Sequence, residues 1–179
     1  MPKKTRQIIT SGLIIFILVS FSVFLFLHRE EIQRFARYGY SGIFLISLIS
    51  NSTIIFPVPG VLFTSAMGAV FDPFLVAVVA GFGATFGEIS GYLAGRAGKF
   101  VVEERDWYER ITSAMQKYGG WIILVLAAIP NPLFDLAGMA AGALRIPLWK
   151  FLLFCGIGKI LKMLFFSYSG FSISQYFMY

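Results

Sequence analysis

Four charged side chains interrupt long apolar stretches of the chain and could do chemistry inside a membrane. They are Glu88, Asp135, Lys159 and Lys162. The two lysines are three residues apart, so they share one face if that segment is helical. Each charge at the centre of a bilayer costs about 2.5–3.5 kcal/mol on insertion scales. We therefore expect these groups to pair, to meet water or to lose their charge.

Two interpretations of these charges stand beside each other. In the structural one, Glu88 forms a buried ion pair with Lys159 or Lys162 and only locks two helices together. In the functional one, the charges line a polar cavity, where the lysines attract a phosphate and a carboxylate takes up or releases a proton. We favour the functional interpretation, because intramembrane charges are seldom retained for stability alone.

The elements that position these charges are membrane helices. The chain has 179 residues, of which 58% are hydrophobic and 13% are charged, whereas a typical soluble domain has about 25% charged residues. Three long stretches contain no charge at all: Ile8–Leu27, Tyr38–Phe71 and Met163–Tyr179. These observations predict an all-α, polytopic membrane protein.

The same composition argues against several other functions. Cys155 is the single cysteine and His28 the single histidine, so one chain cannot assemble a thiolate cluster, a multi-histidine metal site or a histidine-based triad. Asp72, Asp106 and Asp135 are far apart in sequence, whereas lipid phosphotransferases need clustered aspartates for metal. We expect no enzymatic activity, no metal and no cofactor. The net charge of +6 is scattered between apolar spans, so nucleic acid is not an expected partner.

The chain is predicted to divide near Tyr38. Residues 1–37 are expected to form an N-terminal transmembrane helix and an interfacial segment. Residues 38–179 are expected to form the main domain, which contains a first repeat (38–98), a charged polar loop (99–118) and a second repeat (119–170).

Each repeat begins with two apolar arms joined at prolines. The stretch Tyr38–Phe71 is too long for one crossing, and the arms Gly119–Ile129 and Leu133–Leu144 are too short to span the bilayer singly. Because a helix interior does not tolerate such prolines, each pair of arms is predicted to be a re-entrant helical hairpin, followed by a transmembrane helix. The predicted hinge residues are Pro57, Pro59, Gly60, Pro130 and Pro132. Asn131, at the second tip, is predicted to line the transport path.

The two halves match at an offset of 73 to 75 residues. The matched pairs are Pro57 with Pro130, Pro59 with Pro132, Gly68 with Gly142, Pro73 with Pro147 and Glu88 with Lys162. Chance similarity of apolar segments is the alternative, but the preserved order favours a repeat. With a cytoplasmic N-terminus, ten Lys and Arg residues face inside and three face outside, as the positive-inside rule requires. The hairpins then enter from opposite sides, which makes the two repeats inverted.

Four glycines recur at every fourth residue around Glu88. They are Gly83, Gly87, Gly91 and Gly95, which lie on one stripe of a helix. Because such a stripe lets another backbone approach closely, its predicted role is helix packing next to Glu88.

Two segments carry a family resemblance. One segment resembles the first half of the VTT domain: FPVPGVLFTSAMGAVFDPFLVAVVAGFGATFGEISGYLAGRAGK. The VTT domain occurs in bacterial and archaeal DedA proteins and in eukaryotic SNARE-associated Golgi proteins. The second half resembles IPNPLFDLAGMAAGALRIPLWKFLLFCGIGK. The resemblance covers roughly residues 38–170, and the glycine-rich GEISGYLAGRAGK is its most specific part.

The resemblance implies two opposed re-entrant hairpins and movement of lipids between leaflets, by phospholipid scramblases or by flippases of lipid-linked phosphate carriers. Some bacterial members depend on the proton gradient and on membrane carboxylates and arginines. At the matching positions this chain has Val61, Ala127 and Leu133. This departure favours uncoupled scrambling.

We therefore predict a multi-pass protein of the cell (plasma) membrane, with a cytoplasmic N-terminus, that moves phosphate-bearing lipids through a polar seam between the hairpins. The expected partners are membrane phospholipids or polyprenyl-phosphate lipids. The sequence leaves open whether protons are a coupling ion and whether the protein forms a homo-oligomer. Two alternatives are a proton-coupled flippase of a polyprenyl-phosphate carrier and a non-transporting membrane assembly or scaffold protein.

Overall fold

The computed structural model describes residues 39–52, 60–98, 105–130 and 134–178. The predicted N-terminal segment 1–37 and the predicted hinge or tip residues Pro57, Pro59, Asn131 and Pro132 lie outside the described residues. Within the described ranges all regular structure is helical, in agreement with the predicted all-α class.

Eight helices follow one another along these ranges. They are α1 (Gly39–Ser52), α2 (Gly60–Gly68), α3 (Pro73–Gly87), α4 (Ile89–Ala97), α5 (Arg105–Tyr118), α6 (Gly120–Ala128), α7 (Phe134–Ala143) and α8 (Leu148–Met178).

Two of the described segments are long and apolar enough to cross a membrane. Helices α3 and α4 together form the span Pro73–Ala97, because helical hydrogen bonds run through their junction at Glu88. The second span is Leu148–Tyr176 in α8, and both spans have a mean hydropathy of 1.6. Helix α8 continues past Gly170, the predicted end of the second repeat.

Four shorter helices flank these spans. Helices α1, α2, α6 and α7 contain 14, 9, 9 and 10 residues. At 1.5 Å per residue they are about 14–21 Å long, shorter than the roughly 30 Å hydrocarbon core of a bilayer. Helices α1 and α2 are antiparallel. Gly60, at the start of α2, lies beside Ser50 near the end of α1. The rings of Tyr40, near the start of α1, and Phe71, after the end of α2, have centroids 5.5 Å apart.

The short helices are shared between the two spans. Helix α1 packs on α3 and α6 packs on α8, so the first arm of each pair contacts the span that follows it. The second arms cross over, because α2 packs on α8 and α7 packs on α4. Helices α3 and α8 also pack directly on each other.

The crossing of α4 and α7 depends on glycine. A Cβ added at Gly95 would meet the Met139 carbonyl, and a Cβ added at Gly142 would meet the Tyr92 carbonyl. Each helix therefore presents a glycine to the backbone of the other, which permits a close approach.

The crossing of α2 and α8 repeats this arrangement. A Cβ at Gly68 would meet the Ser167 carbonyl, and a Cβ at Gly170 would meet the Ser65 carbonyl. Corresponding residues of the two crossings are 74 or 75 positions apart (142 − 68 = 74, 139 − 65 = 74, 167 − 92 = 75, 170 − 95 = 75). Packing thus follows the offset found in the sequence.

The segment predicted as a polar loop contains the amphipathic helix α5. Ile111 and Met115, four residues apart, are buried in the core cluster with Phe134 and Phe151 of α7 and α8. Glu109 and Lys117 are exposed. The many charges in residues 99–118 suggested a simple aqueous connection, but apolar residues at helical spacing are enough to dock this part of it on the core.

Candidate functional site

A buried ion pair lies at the middle of the two spans. Glu88 is 15 residues after Pro73 (88 − 73) and Lys159 is 11 residues after Leu148 (159 − 148), or about 22 Å and 16 Å along their helices. Lys159 Nζ is 2.5 Å from Glu88 Oε1, and the two side chains are 3% and 4% exposed. Of the two pairings left open by the sequence, the structure contains the one with Lys159.

Two further groups contact the Lys159 ammonium. It donates to Asn51 Oδ1 at 2.8 Å, and it lies 4.6 Å from the centroid of the Phe134 ring. Asn51 is in the last turn of α1, and Phe134 is the first residue of α7. The ammonium therefore connects four elements: α1, the junction of α3 and α4, α7 and α8. Charge-assisted hydrogen bonds and cation–π contacts are both strengthened by burial.

The helix ends around this pair are held by local hydrogen bonds. Asn51 Nδ2 donates to the Ser47 carbonyl at 2.8 Å, which orients its oxygen towards Lys159. Ser90 Oγ donates to the Ser52 carbonyl at 2.9 Å and so satisfies a carbonyl at the end of α1. The bond between Ser90 and Ser52 attaches α1 to the span that carries Glu88.

Lys162 and Asp135 lie near this pair but outside it. Lys162 is half-buried one turn beyond Lys159, and Asp135 is exposed next to Phe134. Lys162 is three residues from Lys159 on one face of α8, and Asp135 adjoins Phe134, whose ring contacts the Lys159 ammonium. Among the described residues, neither side chain makes a hydrogen bond or an ion pair.

The glycine stripe is used by different neighbours along its length. Gly83 and Gly87 lie against carbonyls of Phe44 and Leu48 in α1, whereas Gly95 lies against α7. A Cβ at Gly91 would meet nothing within 4 Å. Of the predicted hinge residues that are described, Gly60 lies beside Asn51, and Pro130 follows the end of α6.

A family model decides where this chain belongs. The model of the VTT domain matches residues 58–172, which include the first span, most of the second, α2, α7 and the buried ion pair. The chain belongs to the VTT-domain family. The resemblance found in the sequence is thereby confirmed.

Curated relatives of this VTT-domain chain are named as vacuole membrane proteins. Vacuole membrane protein KMS1 of Arabidopsis thaliana is 33% identical over 107 residues, covering 48% of this chain and 26% of that protein. Human vacuole membrane protein 1 is 34% identical over 107 residues, covering 46% of this chain and 26% of that protein. The chain thus spans about a quarter of their length. No solved structure matches the chain.

The charges of this VTT domain have no charged counterparts at the repeat offset. By the 75-residue offset of the two crossings, Glu88 corresponds to Met163 rather than to the predicted Lys162. Contacts agree with this assignment. Gly138 lies beside Glu88 Oε2, and Thr64 Oγ1 contacts Met163 Sδ at 3.4 Å. Thr64 precedes Gly138 by 74 residues, so the two contacts match at the repeat offset.

The remaining three charges follow the same rule. Their counterparts are apolar or glycine: Ala84 for Lys159, Gly87 for Lys162 and Val61 for Asp135. The α4–α7 crossing thus carries Glu88 and Asp135, whereas the matching positions of the α2–α8 crossing are Met163 and Val61.

Sequence reasoning did not identify Phe134 or Asn51 as contacts of Lys159. In the sequence, Phe134 lies two residues after Pro132 and Asn51 lies six residues before Pro57. Their position at the inner ends of arms is the signal that could have identified them, because inner ends meet at the middle of the spans.

Proposed function

We propose that this VTT-domain protein moves phosphate-bearing lipids between leaflets as a scramblase or flippase. In this proposal the headgroup crosses through a polar seam between two re-entrant hairpins, α1–α2 and α6–α7, while the acyl chains stay in the bilayer. Lys159 and Glu88 lie at the bottom of the seam, and Lys162 and Asp135 lie along it.

The packing supports the inverted-repeat part of the proposal. Arms of about 14–21 Å can enter a bilayer but cannot cross it. The glycine contacts of the α4–α7 and α2–α8 crossings agree with one repeat offset. Two hairpins that enter from opposite sides would bring their tips together at mid-depth, as in many transporters.

The observation that carries the proposal is that Glu88 and Lys159 are charged, whereas the residues at the matching positions are apolar. At the positions that match Glu88 and Lys159, Met163 and Ala84 are buried and apolar, so packing at these positions does not require ionisable groups. Charges at mid-membrane cost free energy on insertion. Their retention at only one of the two matching sets of positions supports a role in binding or passage of a polar group.

The proposed location is the cell membrane, with the N-terminus in the cytoplasm. The names of the relatives support membrane residence as such. Arg96 at the end of the first span and Lys150 at the start of the second lie on the same side of the domain, because Tyr92 near Arg96 hydrogen-bonds to the Ile146 carbonyl at 2.7 Å. Basic residues gathered on one side favour a cytoplasmic location of that side.

Leaflet exchange in liposomes tests the proposal. Purified protein is reconstituted into phosphatidylcholine vesicles that contain a trace of acyl-labelled fluorescent phospholipid, and the outer-leaflet label is quenched. Protein vesicles should lose nearly all fluorescence, whereas empty vesicles should lose about half. Equal loss in both would remove the proposed function. A labelled polyprenyl phosphate, assayed with and without a proton gradient, tests the proton-coupled flippase.

A further inference from the structure

The first span is interrupted at the residue that carries its buried charge. Helix α3 ends at Gly87 and α4 begins at Ile89, although the Glu88 N–H still donates to the Ala84 carbonyl at 3.2 Å. The Ser90 hydroxyl donates to the Gly87 carbonyl at 3.0 Å, so a side chain enters the backbone ladder at this point. Side chains inserted into the ladder and glycine–serine pairs are known causes of kinks in helices.

The second span continues through the matching position. Helix α8 has no break at Met163, which matches Glu88, and the residue that matches Ser90 is Phe165. The glycine contacts of the α4–α7 crossing nevertheless have counterparts in the α2–α8 crossing. Crossings of this kind therefore do not require a broken span, and the break is particular to the first half of the domain.

The two sides of the break pack on different helices. Helix α3 packs on α1 and on α8, where a Cβ at Gly81 would meet Ile160. Helix α4 packs on α7, and Gly95 and Gly142 each lie against a carbonyl of the opposite helix. Because these reciprocal contacts hold α4 and α7 together, the pair can turn as one body about Glu88.

Aromatic rings connect this pair of helices to α8. Tyr92 of α4 stacks on Phe151 of α8, with ring centroids 5.2 Å apart. Phe134, the first residue of α7, is 3% exposed, and its ring centroid is 4.6 Å from the Lys159 ammonium. Ring contacts can separate without the loss of a backbone hydrogen bond, so they suit a contact that opens and closes.

We propose that Glu88 is a hinge about which α4 and α7 swing together against α8, and that Phe134 is the latch that holds them closed over Lys159. Hinges absorb a change of φ and ψ over a few residues at the end of an element. Opening takes the Phe134 ring away from the ammonium, whereas Asn51 on α1 stays in contact with it. The inference concerns motion and does not rest on the proposed function.

Distances between pairs of spin labels test the hinge. The whole chain, with Cys155→Ala, is labelled at two exposed positions at a time and placed in phosphatidylcholine nanodiscs. The pair Ala97 and Trp149 joins α4 to α8, and Ala97 lies nine residues (97 − 88), or about 14 Å, beyond the break. The control pair Leu75 and Phe165 joins α3 to α8 on the other side of the break.

The Ala97–Trp149 pair should give a major and a minor distance, and the control pair a single one. Phe134→Ala should raise the ratio of the open to the closed population about tenfold, because the ring no longer holds a buried cation. Since Phe134 is on α7 and the label is on α4, this effect also tests whether the two helices move together.

A second phenylalanine provides the matched control for the latch. The Phe154 ring packs on Trp121 within the contact of α6 with α8, with centroids 5.5 Å apart. Phe154→Ala should therefore leave the population ratio unchanged. Should Phe134→Ala not fold, Phe134→Leu keeps the apolar bulk without the ring and should also raise the ratio.

The outcomes separate the hinge, the latch and the proposed function. One unchanged Ala97–Trp149 distance in the wild type and in both Phe134 variants would overturn the hinge, and so would an equal spread of distances in both labelled pairs. Two distances whose ratio is the same with and without the Phe134 ring would overturn the latch. Because the readout is a distance, a protein that moves no lipid would lose the proposed function and keep the hinge.

Discussion

Lys159 Nζ donates to Glu88 Oε1 across 2.5 Å, although the two residues belong to different halves of the chain. The offset between the halves assigns to these residues the counterparts Ala84 and Met163. These two positions are thus a natural comparison for what the domain needs in order to fold and what the proposed transport needs.

The first prediction concerns the stability of this pair. Glu88→Met alone should lower the free energy of unfolding by about 3 kcal/mol, because it leaves the buried Lys159 charge uncompensated. The double variant Glu88→Met with Lys159→Ala places at both positions the residues found at the matching positions, Met163 and Ala84, and should recover most of that loss. Thermal unfolding in detergent measures both. A double variant no more stable than the single one would show that the pair is required for packing.

The same double variant is predicted to separate folding from transport. Because it removes the polar centre of the seam but keeps the apolar packing, it should fold and exchange lipids at least tenfold more slowly. Leaflet exchange at the wild-type rate would show that the pair takes no part in transport. Lys150→Met provides the control for loss of an exposed charge from the same helix.

The third prediction concerns Asn51. Its Oδ1 accepts from the Lys159 ammonium at 2.8 Å, and hydrogen bonds to charged groups contribute about 1.5–3 kcal/mol. Asn51→Ala should lower the free energy of unfolding by about 2 kcal/mol. Ser52→Ala is the matched control, because the Ser52 hydroxyl donates only within its own helix, to the Leu48 carbonyl. Equal effects of the two substitutions would contradict the role assigned to Asn51.

The fourth prediction distinguishes two glycines of one stripe. Gly95→Ala should lower the free energy of unfolding by about 1–3 kcal/mol, the usual effect of overpacking, because its Cβ would meet the Met139 carbonyl. Gly91→Ala should be neutral or stabilising by up to about 1 kcal/mol, since its Cβ meets nothing nearby and alanine favours helix. The midpoints of thermal unfolding should move in opposite directions or differ clearly in size.

The fifth prediction concerns the turn between α7 and α8. Arg145 has φ of +53°, and among the described residues it is the one non-glycine residue with positive φ. Arg145→Gly should stabilise the protein by about 1 kcal/mol, because side chains raise the energy of left-handed backbone by about 1–2 kcal/mol. Arg145→Ala removes the charge but keeps the Cβ, so it should not stabilise. A gain with both variants would assign the effect to charge.

The periodicity and composition of this sequence are sufficient to predict much of the domain. The apolar segments that follow each proline-joined pair of arms were predicted as the spans, because a helix that crosses hydrocarbon admits few charges. Prolines at fixed spacing separated the short arms from the spans, since a helix interior excludes proline. The family and the four charges that come near one another were also identified from residue types alone.

Which charges neutralise each other depended on tertiary structure. Lys159 and Lys162 are on one helical face, and sequence spacing cannot tell which reaches Glu88. The packing of α3 on α8 decides for Lys159, while Asn51 and Phe134 come to it from α1 and α7. The glycine contacts likewise match Glu88 with Met163, one residue after the predicted Lys162, and sequence spacing cannot give this because these contacts join distant parts of the chain.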